Sequence, residues 1–430
     1  MPSWFVEQGN LTKDQVLDAA RKAAEQARER ICRDPKRVLL LPPDITRAHS
    51  GAGMITEELY KIFSKSAEVY VIPTLGQHLP HTPEQNKWMF GSIPEERILK
   101  HDWRNGSTLI GEVPAEFVKE VSKGKADWSI PVALNTPLVK EKWDLVINVG
   151  HVVPHEVLGF ANHNKNYFIG LGGKPTICAS HMMAACCGIE NNLGNLITPL
   201  RKCYNKAEED FLGFLPDCFI EVTMAYDSEG RLGHTGVYVG DDVDVYLDAA
   251  KVSREQNITI VPPLKKVVAV MQGDEFYSTW VANKAIYRTR MAMADGGELL
   301  VIAPGLKRFG EQADVDELIR KFGYSGTENV MKLWKQEPIL QDLTHGTAHL
   351  IHGSSEGRFK ITYAPGHISK EDMESVCFGY ADLEETLKRY NPETMKNGFN
   401  VMPDGEEVYF ISTPSAGLWS TKEKLENREF

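Results

Sequence analysis

Apolar residues recur along this chain at two spacings. Over 11–32 they alternate with charged residues at helical intervals, and Thr12 with Gln15 forms a capping-box pattern, so a surface helix is expected there. Residues 37–41, Arg-Val-Leu-Leu-Leu, are instead a short apolar run of the kind buried in a parallel sheet. The run stops at Pro42-Pro43, and beyond Gly51 and Gly53 a second helix is expected over 54–64. The grammar then repeats, with a strand over 68–72, a loop over 73–80 and a helix over 82–90 that has Pro83 in its first turn. A third unit opens with a strand at 143–149. Strand, loop and helix in repetition predict a parallel sheet with right-handed crossovers.

Residues 91–139 give no clear order of elements. Residues 219–226 and 231–239 read as a strand pair joined by Asp227-Ser228-Glu229-Gly230. A boundary is expected near Pro262-Pro263, after which strands over 266–271 and 298–303 and a helix over 278–294 begin a second unit. A late strand over 407–412, entered by Pro403-Asp404-Gly405, is a candidate to return to the first domain. The expected fold class is α/β: two α/β domains with mainly parallel sheets and the active site in the inter-domain cleft. The first would span 1–262, rejoined by 401–430 if the late strand returns, and the second 263–400.

Composition narrows the function. At 430 residues the chain is long enough for two cores, and 42% hydrophobic with 25% charged residues is ordinary for a globular protein. A net charge of -11 argues against a nucleic-acid partner, which would require a basic face. No window approaches the roughly 18 apolar residues of a membrane helix, and the first residues lack the basic lead and apolar core of a secretory signal, so a cytoplasmic protein is expected. The seven cysteines show neither disulfide density nor a CxxC spacing, and a cysteine-built zinc site is not expected.

Candidate chemistry concentrates between Gly150 and His181, which supplies His151, His155, His163, His181, Lys165 and Lys174 beside a glycine-rich turn. If Lys165 and His181 share a ligand, the sixteen residues between them cannot form one helix, since about 1.5 Å per residue would part the two by roughly 24 Å. Gly170, Gly172, Gly173 and Pro175 are suited to the reversal this requires. Imidazole is a ligand for nickel, zinc, copper or iron, and a lysine amine can be a covalent anchor. The competing reading is a solvated histidine-rich loop. A phosphate-loop reading fails, because Phe168 and Pro175 stand where that motif wants glycine and Ser or Thr.

Asp44 with Arg47, His78, and His155 each follow the carboxyl end of a different expected strand, where open parallel sheets bind ligands. Arg47 could hold a small anion, with Asp44 orienting it, and His78 could be a general base. Taken singly, an Asp–Arg pair in a turn or a lone histidine is more often structural. His345, His349 and His352 have helical metal-ligand spacing but lack the accompanying carboxylate, and the cluster reads as incidental.

Together, Asp44-Ile45-Thr46-Arg47, Gly76-Gln77-His78, and the run His155-Glu-Val-Leu-Gly-Phe-Ala-Asn-His-Asn-Lys165 continuing through Gly-Leu-Gly-Gly to His181 resemble the nickel-dependent lactate racemase family, in order and in interval. The resemblance implies a racemase or epimerase that inverts C2 of a 2-hydroxy acid by proton-coupled hydride transfer to a nickel-pincer nucleotide, a pyridinium-3,5-bisthiocarboxylic acid mononucleotide carrying nickel. It implies Lys165 as covalent anchor, with Asp44 and Thr46 also toward the cofactor, and His181 as nickel ligand. His78 and His155 would be the paired acid/base groups, and Arg47, Lys284 and Trp280 would contact the substrate, with hinge closure bringing Lys284 in. Two departures are noted: Asn162-His163 stand where many relatives have Gly-Gly, and Trp280-Val281 where the lactate enzyme has tyrosine and glutamine, across a one-residue gap. The rival readings are a zinc-dependent hydrolase or lyase built on His155 and His181, and a non-catalytic small-carboxylate binding protein using Arg47 and Lys284.

Overall fold

A computed structural model describes residues 3–227, 231–273 and 276–430. The chain divides into two compact units, 1–183 with 193–256, and 184–192 with 257–430.

The first unit is built on a six-stranded sheet. Its strands are β1 (Ser3–Leu11), β2 (Arg37–Leu41), β3 (Glu68–Val71), β4 (Leu145–His151), β5 (Asp217–Tyr226) and β6 (Leu232–Gly240), in the spatial order β1-β6-β5-β4-β2-β3. The four strands from β5 to β3 run parallel, and β6 and β1 add antiparallel edges. The apolar run of β2 is central because both faces of a parallel strand are covered, and Val38, Leu39, Leu40 and Leu41 are fully buried. Helix α1 (Lys13–Ile31) starts on the expected capping box, Thr12 and Gln15 satisfying one another, and lays Val16, Ala19, Ala20, Ala23, Ala24 and Ala27 on the core. Alanine at these positions lets the helix approach the sheet closely. Helices α2 (Ala52–Phe63) and α3 (Pro83–Phe90) follow β2 and β3, α3 with a second capping box at Thr82 and Gln85. Residues 91–139, unordered from sequence, hold an antiparallel pair, Ser107–Val113 with Ile130–Asn135. The β5–β6 pairing is as expected, but Ser228, Glu229 and Gly230 of its turn lie outside the described residues.

This order places the site. From β2 the chain adds β3 on one side and later β4 on the other, so β2 and β4 flank a topological switch point. Val38 pairs with both Val69 and Leu145, so the carboxyl ends of three adjacent strands open on one edge of the sheet.

The second unit has its own six-stranded sheet of β7 (Leu264–Val270), β8 (Met293–Ala303), β9 (Lys360–Pro365), β10 (Gly379–Tyr380), β11 (Gly398–Val401) and β12 (Glu407–Ile411), in the order β10-β9-β8-β7-β12-β11. All are parallel except the edge strand β11. The late strand does not return to the first unit. It lies beside β7, where Val408 and Phe410 share a core with Val268 and Val270.

The helix expected over 278–294 is two short ones, Thr279–Ala282 and Lys284–Thr289. Its last residues enter β8 because Met293 pairs with Leu264, a tertiary contact that overrides the helical propensity of Ala-Met-Ala. The unit also takes in residues 184–192, where Glu190 meets three cations: Arg358 at 2.7 Å, Lys424 at 3.0 Å and the buried Arg290 at 3.3 Å.

Candidate active site

Asp44 follows β2 and caps a 3-10 turn, Ile45–Ser50, closed by a 3.0 Å bond from the Arg47 amide to the Asp44 carbonyl. The buried Asp44 carboxylate accepts from His78 Nδ1 at 2.7 Å and from the Thr46 hydroxyl at 2.7 Å. Burial opposes its charge, but His78, Thr46 and the Arg47 guanidinium outweigh burial and hold the carboxyl far below the usual range. An ionised carboxylate only accepts, so Nδ1 of His78 carries a hydrogen and proton exchange falls to Nε2.

His155 is wired the other way. It ends the short strand Pro154–His155, whose hairpin with Gly159–Phe160 follows β4, and its Nδ1 accepts the Val157 amide at 3.2 Å. In the neutral ring the hydrogen is therefore on Nε2. The two histidines are prepared in opposite tautomers, one with Nε2 as base and one with Nε2–H as donor.

Between Asn162 and Tyr167 the chain carries Lys165 and is fastened by side chains on both flanks. Asn166 donates to Asn148 and Asn162, Tyr167 donates to Asp217 at 2.6 Å, and Asn164 reaches Asn205 and Glu208. The fully buried Arg201 bonds the Asn164 side chain and the Phe160 carbonyl. Asn162 and His163 are both left-handed, with φ 71° and 58°. A glycine pair would adopt that backbone without strain, so Asn162 and His163 hold it at a conformational cost. The Asn162 carboxamide presses on β4 where only Gly150 leaves room: a Cβ there would lie 2.2 Å from Asn162 Oδ1.

Burial, with Arg47 nearby, lowers the Lys165 amine to about 8, against the pull of Asp44 and Glu156. The chain then reverses through a π-helical turn, Asn166–Gly170, into helix α4 (Lys174–Cys187). Gly172 and Gly173 are there for space rather than for a left-handed backbone. A Cβ on Gly172 would sit 2.0 Å from the Phe168 carbonyl oxygen, and one on Gly173 2.1 Å from Ser107 Oγ.

His181, two turns into α4, donates Nδ1–H to the Ile177 carbonyl at 2.8 Å, which leaves Nε2 as the basic nitrogen. Burial pushes its pKa down to about 4, so the ring is neutral at physiological pH, and Lys165 and Glu156 lie within electrostatic reach. Neutral imidazole with Nδ1 tied to a carbonyl is the usual preparation of a metal-ligating histidine.

The first unit thus gathers Asp44, Thr46, Arg47, His78, Lys165 and His181, with His155 on the same sheet edge. Sequence reasoning missed Glu156, which bears on Arg47, Lys165 and His181, and His81, whose Nε2 accepts the Ile45 amide at 2.8 Å. Its place three residues past His78, between the expected loop and the expected helix, was the available signal.

Lys284 and Trp280 belong to the second unit, Lys284 opening its short helix and Trp280 stacking on His349 at 4.3 Å. The cluster His345, His349 and His352 is buried, and both His349 nitrogens meet tyrosine hydroxyls, Tyr287 and Tyr324, at 2.9 Å.

Fold and site define a two-unit α/β protein whose polar residues converge at the switch point of a parallel sheet. Its resemblance to the lactate racemase family is shown by comparison with known proteins: residues 10–192 match the lactate racemase N-terminal domain. The lactate racemase of Thermoanaerobacterium thermosaccharolyticum is 26% identical over 153 residues, 34% of this chain and 32% of that protein, so the match spans about a third of the relative's length. In fold, the chain is similar to a Thermotoga maritima protein of known crystal structure (TM-score 0.80, 23% identity, 97% of this chain and 100% of that one). It is also similar in fold to the lactate racemase apoprotein of T. thermosaccharolyticum (TM-score 0.69, 17% identity, 94% and 92%).

Proposed function

We propose that this protein is a racemase or epimerase of a 2-hydroxy acid that works with a nickel-pincer nucleotide. The observation that carries the reading is the pairing of Lys165, an amine near 8, with His181, a neutral imidazole whose Nδ1 is tied off, in one electrostatic neighbourhood. About a tenth of such an amine is unprotonated at pH 7, far more than of an ordinary lysine, and can anchor an acyl or thioacyl group, while the histidine offers Nε2 to a metal. Asp44 and Thr46 would stand beside the nucleotide. When bound, that group supplies reversible acceptance of the C2 hydrogen together with its electron pair.

The chain's own residues do the rest. Arg47 would bind the substrate carboxylate, with Lys284 a second cation and Trp280 an apolar wall. His78 would take the hydroxyl proton at Nε2, and Asp44 would stabilise the resulting imidazolium through Nδ1–H. Loss of both hydrogens leaves a planar keto acid, and return to the opposite face inverts the centre. His155 would serve the other enantiomer, and its opposite tautomer suits a pair in which one ring gives a proton while the other takes one.

A zinc hydrolase draws three protein donors to the metal. Among the described residues no three His, Cys, Asp or Glu side chains are grouped to hold a metal ion, whereas a nucleotide bearing its own metal asks for one histidine.

The test is metal analysis with intact mass of cofactor-loaded protein, then assay on a panel of chiral 2-hydroxy acids and sugar acids. Nickel, a mass adduct mapped to Lys165 and racemisation of a panel member are expected. Zinc without an adduct, or loaded protein that inverts no panel member, would overturn the proposal.

A further inference from the structure

We propose that His81 is a positioning residue for the substrate clamp, holding the Asp44–Arg47 turn by accepting its first amide on a ring nitrogen that must stay unprotonated. The role assigned to Arg47 rests on the function proposed above; the hydrogen-bond chain does not.

The polarity of that chain is fixed from end to end. The Ile45 amide can only donate, so His81 Nε2, 2.8 Å away, must present a lone pair. The hydrogen of the neutral ring is then on Nδ1, which lies 3.1 Å from Asn86 Oδ1. This orients the buried Asn86 so that its Nδ2 donates to both oxygens of Glu95, at 3.0 and 3.2 Å. A carboxylate that only accepts closes the relay, and every donor along it meets an acceptor. Phe90 stacks on the imidazole, with ring centroids 6.0 Å apart and planes 25° apart, and fixes the plane of the ring.

Adding a proton to Nε2 would set N–H against N–H and cut the turn loose. The titratable groups around the ring are Asp44, Glu95 and His78; burial, the largest influence, and His78 oppose protonation and, against the Asn86 hydrogen bond and the two carboxylates, keep the ring below its ordinary value.

Two histidines of one loop thereby grip one turn at adjacent residues: His78 takes the Asp44 side chain and His81 the Ile45 amide. The Thr74 amide bonds the Pro42 carbonyl at 2.8 Å just below, so the loops after β2 and β3 form one body. Arg47, closed into the same turn, takes its direction from it. His78 exchanges protons and His81 must not.

Two variants test this. His81→Phe keeps an aromatic ring but removes the acceptor; His81→Gln restores an acceptor oxygen and a donor nitrogen. The probe is glycolate, which has no stereocentre, with binding measured by calorimetry and histidine nitrogens followed by NMR on 15N-histidine protein. The parent is expected to show His81 Nε2 unprotonated and accepting across neutral pH. His81→Phe should bind glycolate about tenfold more weakly, the scale of one buried hydrogen bond to a positioned backbone, and should shift the His78 titration. His81→Gln should recover most of both.

A merely structural residue would lower the melting temperature and leave glycolate affinity and the His78 titration alone, and that result would overturn the proposal. So would a protonated Nε2 in the parent. If His81→Phe does not fold, the parent spectrum and His81→Gln decide. If the parent binds no glycolate, the reading of Arg47 fails, and the His78 titration in the variants still decides the role of His81.

Discussion

His163 Nδ1 donates to Glu221 Oε1 at 2.8 Å, with the two side chains only 1% and 0% exposed. The imidazole also stacks on Phe219 with ring centroids 4.0 Å apart, and Tyr246 closes at 5.6 Å. These contacts make a histidine tolerable at φ 58°, where a glycine would be unstrained, and they pin the Lys165 segment to the centre of β5.

His163→Ala should therefore be costly, since it strands the Glu221 carboxylate in the core. A loss of about 3–5 kcal/mol is expected from urea denaturation. Glu221→Gln, which keeps an oxygen for Nδ1–H, should cost clearly less, and adding it to His163→Ala should recover part of the loss. Equal melting of His163→Ala and parent would show the pair to be idle.

Asp217 gives a pH signature. Burial, then Glu208, raises its carboxyl to about 7 from an ordinary 3.8. Between those values the folded chain holds a proton that the unfolded chain has released, so this contribution to stability is full in acid and is lost as pH rises towards 7. Asp217→Asn retains an acceptor for Tyr167 and removes the penalty. It should stabilise by about 2 kcal/mol at pH 8, allowing for partial solvent contact, and by almost nothing at pH 4. A gain independent of pH would contradict the assignment.

Lys165 should be the most readily acylated lysine at neutral pH. Competitive labelling with peptide mapping should give it a midpoint near 8, against 10.5 for an ordinary lysine. A midpoint with the bulk lysines would remove the chemical case for it as an anchor.

Asp44→Asn keeps the shape of the turn but replaces the ion that stabilises a protonated His78. If His78 is the base of the proposed reaction, cofactor-loaded protein should lose about a hundredfold or more in kcat with a smaller change in KM, because the stabilised charge would exist only once the proton has moved. A change confined to KM would assign Asp44 to binding alone.

Much of this was legible in the chain. The strands at 37–41 and 143–149 betrayed themselves by unbroken apolar runs, and the residues following them marked one sheet edge because parallel strands share a direction. The helix over 278–294 was misread because local propensity cannot see that Met293 has a partner in Leu264. His81 was overlooked for a related reason: its partners are a backbone amide and Asn86, and backbone donors leave no trace in a sequence. His349 looked incidental because the tyrosines that occupy it, Tyr287 and Tyr324, are 62 and 25 residues distant.

Glu190 has a consequence for how this protein can be divided. Residues 184–192 continue the segment that carries His181, yet they are counted with the second unit, where one carboxylate answers Arg290, Arg358 and Lys424. A fragment starting at Asn257 would hold a complete six-stranded sheet and still leave the buried Arg290 guanidinium without its carboxylate. The second half of the chain is thus not a severable module: its central counter-ion is encoded nearly seventy residues before it begins, on the stretch that also carries His181.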